Sequence, residues 1–151
     1  MVTAASLVYW SFTWLVVFGA VAFGLRGGGL ARRGDLVEHA RAIRISLRLI
    51  GFFLVTYVLK ALVLGRESLD TWPRSAVVTL RVHESIVLVM LLAGIAAWGL
   101  ARRLDPGKGR WQPGRRAALH RLCGRTALAA AVGTLLSASL VLLAMFRLAR
   151  S

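Results

Sequence analysis

Four long apolar runs, separated by short segments rich in arginine and other polar residues, dominate the pattern along this chain. The first run, 2–25, contains no charged residue. It is long enough for a helix of roughly 20 residues to cross about 30 Å of hydrocarbon. Further runs lie near 49–64 and 82–100 and in the last third of the chain. Because lipid offers the backbone no hydrogen-bond partners, runs of this length predict an all-α integral membrane four-helix bundle.

Turn-forming residues between the runs set the predicted bounds of the helices. The glycines at 27–29 are expected to break the first helix, and Gly34-Asp35 to begin the second. A polar turn at 66–73 and a loop rich in proline and glycine at 106–114 separate the remaining helices. The sequence therefore predicts a single transmembrane domain over 1–151, with helices at about 2–25, 36–65, 75–104 and 115–147.

Aromatic residues near the ends of the runs support the membrane assignment. Tyr9, Trp10 and Trp14 lie in the first run, which lacks the basic start and the small-residue cleavage site of a signal peptide. We therefore expect this run to remain in the protein as a span. Tryptophan and tyrosine favour the two interfaces of a bilayer. The residues expected in such an aromatic belt are Tyr9, Trp10, Trp72, Trp98 and Trp111.

Basic residues are distributed unevenly over the connections between the runs. Six surround the first loop and eight the third, whereas four surround the second and two follow the last run. The positive-inside rule then places loops one and three in the cytoplasm, and the N-terminus and C-terminus both on the non-cytoplasmic side. Eighteen of the twenty basic residues are arginine, which is typical of GC-rich bacterial genomes. We therefore expect a multi-pass protein of the bacterial cytoplasmic (inner) membrane.

The overall composition agrees with a membrane location and argues against a nucleic-acid-binding protein. Of the 151 residues, 58% are hydrophobic, which is more apolar surface than one soluble domain could bury. The formal net charge is +14, but the basic residues lie between apolar runs and not on one face of a soluble fold. Membrane lipid is the partner that the composition indicates, and we expect no binding of nucleic acid.

The nucleophiles and carboxylates of the chain do not suggest catalysis. Cys123 is the single cysteine, so no intramolecular disulfide and no CxxC or zinc pattern can form. The sequence has no nucleophile paired with a base, no pair of carboxylates and no phosphate-binding glycine motif. We therefore expect that the protein is not an enzyme and has no catalytic residue.

Three histidines near predicted helix ends are the candidates for cofactor or metal binding. His39 and His120 begin helices two and four at the same membrane face, where they could pair laterally, and His83 lies near the opposite face. Imidazole nitrogens between bundle helices bind haem iron, copper and zinc. The alternative is that these histidines lie at the lipid interface without a ligand. Haem and copper are the groups that the histidines suggest, and the residues do not choose between them.

Three further residues are weaker candidates. Lys60 ends a helical stripe that starts at His39, although it could simply extend toward the interface. Glu84 is the only acidic residue within an apolar run and adjoins His83, which suggests a role with a proton or cation. Met90 lies on about the same helical face as His83 and would suit copper, although membrane methionines usually serve packing.

Helix four carries a small residue at every fourth position of one face. These residues are Ala129, Gly133 and Ser137. Small residues let the backbones of two membrane helices approach closely. We therefore predict that this face packs against a neighbouring helix.

Three sequence phrases resemble those of a known membrane family. His39 is followed by FLVTYVL (53–59), which is similar to the family's FLxSYLL at the same spacing from a histidine. LRVHESIVL (80–88) is similar to LxxHxxLA, and HRLCGR (120–125) is similar to HRxxxR. Helices two to four thus resemble the bacterial four-helix membrane family called domain of unknown function four hundred and twenty, which includes the CtaM-like oxidase maturation factors.

The resemblance implies a non-enzymatic role in the maturation or assembly of a haem-copper terminal oxidase through haem or copper handling. It implies respiratory oxidase subunits or a copper chaperone as partners. The family typically has another histidine after the SYLL phrase, and Lys60 and Ala61 stand there instead, which removes a partner for His83. Two alternatives stay open. One is a b-type haem electron-transfer protein with His39 and His120 as axial ligands, and the other is a structural membrane subunit that packs through helix four.

Overall fold

All regular elements in the described part of the chain are helices. The computed structural model describes residues 3–63, 65, 68–70, 72–102 and 114–150, and no strand occurs among them. The four helices are α1 (Ala4–Arg32), α2 (Leu36–Val63), α3 (Arg74–Arg102) and α4 (Arg115–Leu148). Each is long and apolar enough to cross a membrane. The predicted architecture of four membrane-length helices is confirmed, whereas Trp111 and most of the third loop lie outside the described residues.

Helix α1 does not end at its glycines. It continues through the glycines at 27–29 to Arg32, so the prediction of a break after Leu25 is wrong. A glycine weakens a helix by about 1 kcal/mol relative to alanine, but it also lets a second helix approach closely. At Gly27 a Cβ would lie 2.9 Å from the Ile43 side chain of α2. Close packing of α2 therefore favours helix where the local propensity alone favours a break.

A tight turn joins α1 to α2. Gly34 has a φ of +82°, a left-handed conformation that glycine adopts without steric cost. The Asp35 side chain follows, and its Oδ1 accepts a hydrogen bond from the Glu38 backbone N–H at 3.2 Å. This cap satisfies one of the N–H groups that a helix start leaves unpaired. The predicted start of the second helix at the Gly34-Asp35 pair is confirmed.

The helices form two hairpins, α1 with α2 and α3 with α4, joined by a contact between α1 and α4. Gly24 marks this junction, because a Cβ there would lie 3.3 Å from Leu128 Cδ1 of α4 and 3.6 Å from Ser46 Oγ of α2. Trp14 Nε1 donates a hydrogen bond to the Ser139 hydroxyl at 2.9 Å across the same contact. Among the described residues, no Cα atom of α2 lies within 8 Å of α3 or α4. The side of the bundle between α2 and α3 is therefore not closed.

A small apolar cluster lies at the end of the bundle opposite the arginine-rich loops. Trp72, Ala76 and Met145 are buried there, and Trp10 packs against them. Because Trp72 comes from the connection between α2 and α3, the cluster anchors this connection on α1, α3 and α4. Only 8% of the Trp72 surface is accessible. Trp72 therefore faces the protein interior and not the lipid interface at which the sequence pattern placed it.

Candidate functional site

The side chain of His39 ties α2 to α1. Its Nδ1 lies 2.8 Å from the main-chain carbonyl oxygen of Gly27. Because a carbonyl oxygen only accepts hydrogen bonds, Nδ1 carries the proton and the lone pair of the neutral imidazole is on Nε2. Further along α2, the Ser46 hydroxyl donates to the Ala20 carbonyl at 2.7 Å. The two bonds hold the helices of the first hairpin in one register.

His120 is held in the same way in the second hairpin. Its Nδ1 lies 2.9 Å from the carbonyl oxygen of Ala97 in α3. The proton again belongs on Nδ1, and the lone pair of the neutral ring is on Nε2. Histidines that bind a metal or haem iron usually donate their other ring N–H to a carbonyl or carboxylate in this manner. The Nδ1 bond of each imidazole is therefore of the kind that accompanies ligation through Nε2.

A repeated sequence shows that the two carbonyl acceptors are equivalent. GLARRGD at 29–35 recurs as GLARRLD at 99–105. Aligning these two segments aligns Gly27 with Ala97, so the first and third helices form one half of an internal repeat. Neither acceptor was among the predicted site residues. The repeat is the sequence signal that locates them.

The histidines themselves begin the second half of this repeat. His39 starts the pattern H-x4-R-x2-L over 39–47, and His120 starts the same pattern over 120–128. The helices that begin here, α2 and α4, are therefore equivalent in the two hairpins. Each imidazole bonds to the equivalent carbonyl of its own hairpin at the same end of the bundle.

The two imidazoles are anchored to different hairpins. His39 bonds to α1 and His120 to α3, and α2 makes no close contact with α4 within the described ranges. The lateral pairing suggested by the sequence is thus not a direct packing of one helix on the other. Any group that both imidazoles bind has to lie between the hairpins.

Arginine side chains surround the end of the bundle that carries these histidines. The arginines described there are Arg26, Arg32, Arg33, Arg41, Arg44, Arg48, Arg102, Arg115, Arg116, Arg121 and Arg125. Arg41 forms an ion pair with Glu38. The Arg102 guanidinium lies 4.0 Å from the centroid of the Trp98 ring, in a cation–π contact. The excess of positive charge suits anionic groups such as lipid phosphates or carboxylates.

His83 forms a polar contact between α3 and α4 toward the opposite end. Its Nδ1 lies 2.9 Å from Ser137 Oγ. The Ser137 hydroxyl donates to the Gly133 carbonyl at 2.8 Å, so it accepts the hydrogen bond from His83. Glu84 points away from this contact, since it is exposed and forms an ion pair with Arg81. His83 and Glu84 therefore do not share a partner, although they are adjacent in the sequence.

The buried side chain of Lys60 turns into the protein. Its Nζ donates to the Gly65 carbonyl at 2.9 Å and lies 5.7 Å from the centroid of the Trp10 ring. Only 6% of Lys60 is accessible, so its side chain reaches Gly65, beyond the end of α2, along the protein surface that covers it. Met90 is also buried, within α3.

The small-residue face of α4 meets α3 of the same chain over part of its length. A Cβ at Gly133 would lie 3.4 Å from the Ile86 side chain, and Ser137 is buried beside His83. Ala129 is exposed. Two of the three predicted packing residues therefore contact or adjoin a neighbouring helix.

The described residues contain no group of three or more His, Cys, Asp or Glu side chains that could hold a metal ion. His39 and His120 are the candidate site residues that lie at the same end of the bundle. In comparisons with known proteins, the chain matches no family model, no curated protein and no solved structure.

Proposed function

We propose that this chain is a non-enzymatic protein of the bacterial cytoplasmic membrane that holds haem or copper through His39 and His120 during maturation of a haem-copper terminal oxidase. The observation that supports the proposal is the hydrogen bond from each Nδ1–H to a carbonyl of its own hairpin. Such a bond orients the ring and makes Nε2 a stronger ligand. Its recurrence at equivalent positions of the repeat favours a shared role for the two imidazoles.

Haem is the better match for this pair of ligands. His39 and His120 would suffice to hold haem iron, because the haem ring would supply the other ligands. Haem also carries carboxylates, which the arginines at this end of the bundle would attract. When bound, haem would supply reversible one-electron chemistry. The role of the chain is then to orient the group and to keep it in a largely apolar environment. For copper, the alternative ligands are His83 and Met90 at the other level of the bundle.

The orientation of the proposed site follows from the arginines. The positive-inside rule places the arginine-rich end in the cytoplasm and both termini on the non-cytoplasmic side. Respiratory oxidase subunits or a copper chaperone are then the proposed protein partners, met from within the membrane or from its cytoplasmic surface.

The test is a reduced-minus-oxidised visible spectrum, with metal analysis, of the detergent-purified protein from a haem-replete host. We expect stoichiometric haem, or copper bound to the same pair of histidines, in the wild-type protein and its loss in His39→Asn and His120→Asn. Copper bound to His83 and Met90 would instead be lost in His83→Asn. Asparagine keeps an N–H donor near the position of Nδ1 but has no counterpart of Nε2. His83→Asn is the matched control and should retain the bound haem.

The outcomes separate the proposed roles. A wild-type protein with neither haem nor copper overturns the binding proposal and favours a structural membrane subunit. A b-type electron-transfer protein is favoured if the bound haem is reduced by quinol and reoxidised by an oxidase at the rate of oxidase turnover. A bound group that appears in the oxidase after transfer favours a role in maturation.

A further inference from the structure

Because α1 is equivalent to α3 and α2 to α4 in the internal repeat, each contact between two helices has an equivalent contact elsewhere in the repeat. The contact between α1 and α4 is built on Gly24 and Gly28, since a Cβ would lie 3.3 Å from Leu128 at Gly24 and 3.2 Å from it at Gly28. The alignment of α1 with α3 that pairs Gly29 with Gly99 also pairs Gly24 with Gly94. The alignment of α2 with α4 that pairs His39 with His120 also pairs Leu47 with Leu128. The counterpart of the contact between α1 and α4 is therefore a contact of α3 with α2, built on Gly94 and Leu47.

That counterpart is uncovered in this chain. A Cβ at Gly94 would meet no atom within 4 Å, whereas a Cβ at Gly24 would lie 3.3 Å from Leu128. Leu47 is exposed, and so is Gly51 one turn further along α2, where a Cβ would also meet nothing within 4 Å. The same two residue types are thus present in both repeats, but only one pair is in contact.

An uncovered glycine in a lipid-facing helix has no local advantage. It weakens the helix by about 1 kcal/mol relative to alanine, and it buries no side chain. In membranes, helices associate through close backbone approach at small residues, because lipid removes the hydrophobic driving force between them. Glycines that are retained at the equivalent of a packing position therefore indicate a surface for another helix and not for lipid.

The helix that fits this surface is specified by the repeat. Gly94 of α3 is equivalent to Gly24 of α1, which contacts Leu128 of α4. Gly94 therefore fits a helix with a leucine at the position equivalent to Leu128. That helix is α2, in which Leu47 is the equivalent leucine. Within the described residues of one chain, α2 and α3 are not in contact, and Trp72 before α3 packs among residues of α1 and α4. The α2 helix of a second copy is free to occupy the position.

We propose that two copies of this chain form a twofold dimer in the membrane, in which α2 of each copy packs on α3 of the other with Leu47 against Gly94. With a twofold axis, the exposed surfaces of α2 and α3 are both covered, since each copy supplies one α2 and one α3. The dimer contact then repeats the Gly24 part of the junction between α1 and α4, whereas Trp98 stands at the position equivalent to Gly28. This association does not depend on whether the imidazoles hold a cofactor.

The test is disulfide trapping between two chains in native membranes. Cys123→Ser removes the natural thiol, and two differently tagged chains then carry either Leu47→Cys or Gly94→Cys. On oxidation with copper phenanthroline, we expect a crosslinked dimer that contains both tags, because a disulfide needs Cα atoms within about 7 Å. The control pair is Leu25→Cys with Leu122→Cys, two exposed positions on α1 and α4.

Three results would overturn the proposal. One is a lack of crosslinked dimer, and another is a yield no higher than that of the control pair. The third is a chain with both cysteines that forms only an internal disulfide, which would mean that α2 and α3 of one chain close on each other.

A second measurement needs no cysteine at the interface. The wild-type chain should be dimeric by light scattering in mild detergent, and Gly94→Leu should lower its association constant by about tenfold or more, because the added side chain keeps the helices apart. Gly99→Leu is the control, since a Cβ there also meets nothing within 4 Å. Gly99 aligns with Gly29, and a Cβ at Gly29 does not meet Leu128 either. A monomeric wild-type protein, or equal effects of the two substitutions, contradicts the dimer.

Discussion

The Nδ1 of His39 lies 2.8 Å from the carbonyl oxygen of Gly27, within three consecutive glycines that continue as helix. The glycines bring the backbone of α1 close enough for a side chain of α2 to bond to it. The same bond recurs between His120 and Ala97 in the second hairpin. The two hairpins are thus closed at one end by the same kind of hydrogen bond, which also sets the imidazole nitrogen that carries the proton.

The donor role of His39 can be separated from its ligand role by substitution. His39→Ala removes the hydrogen bond to Gly27 and should lower stability by about 0.6–1.7 kcal/mol, the range for polar contacts between membrane helices. His39→Asn keeps an N–H donor and should retain most of that stability. Thermal unfolding in detergent, followed by circular dichroism, measures the difference. Equal losses in both variants would show that the hydrogen bond to Gly27 does not stabilise the fold.

Gly27 should tolerate substitution less well than a neighbouring glycine. A Cβ at Gly27 would lie 2.9 Å from Ile43, whereas a Cβ at Gly29 would meet nothing within 4 Å. Gly27→Val should therefore destabilise the protein by about 1–3 kcal/mol through overpacking. Gly29→Val carries the same change in helix propensity and is the control. Similar melting temperatures for the two variants would rule out close packing of α2 at Gly27.

Leu128 and Leu47 should differ in their contribution to the monomer. Leu128 packs on Gly24, so Leu128→Ala should cost about 2 kcal/mol or more. Leu47 is the equivalent residue of the repeat but is exposed in the single chain, and Leu47→Ala should change monomer stability by no more than about 0.5 kcal/mol. Unfolding at a detergent excess that keeps chains separate checks both values. A large loss for Leu47→Ala would indicate that α2 and α3 meet within one chain.

The contact between His83 and Ser137 should show energetic coupling. A double-mutant cycle with His83→Ala and Ser137→Ala should give a coupling of about 0.6–1.7 kcal/mol, because each single change already removes the shared hydrogen bond. Ser139→Ala is the control partner, since Ser139 bonds to Trp14. Its effect should add to that of His83→Ala. Additivity in both cycles would mean that the bond to Ser137 contributes nothing.

Hydrophobic patterning was sufficient to predict the helices, because a span needs only an uninterrupted apolar run of membrane length. The ends of α2, α3 and α4 came within two residues of their predicted positions. The end of α1 did not, since the glycines at 27–29 are stabilised as helix by contact with Ile43, which is distant in the sequence. Local propensity cannot include such a contact.

The sequence by itself determined that this protein has four membrane-length helices with His39 and His120 at the same end. The repeat in the sequence also indicates that the two hairpins are equivalent. Only the tertiary structure decided that the imidazoles bond to Gly27 and Ala97 rather than to each other, and that Lys60 and Trp72 turn inward. It also decided that α1 meets α4 while α2 and α3 stay apart. The physical reason is that apolar periodicity reports how deeply a helix lies in lipid, whereas the neighbours of a helix depend on close contacts between residues far apart in the chain.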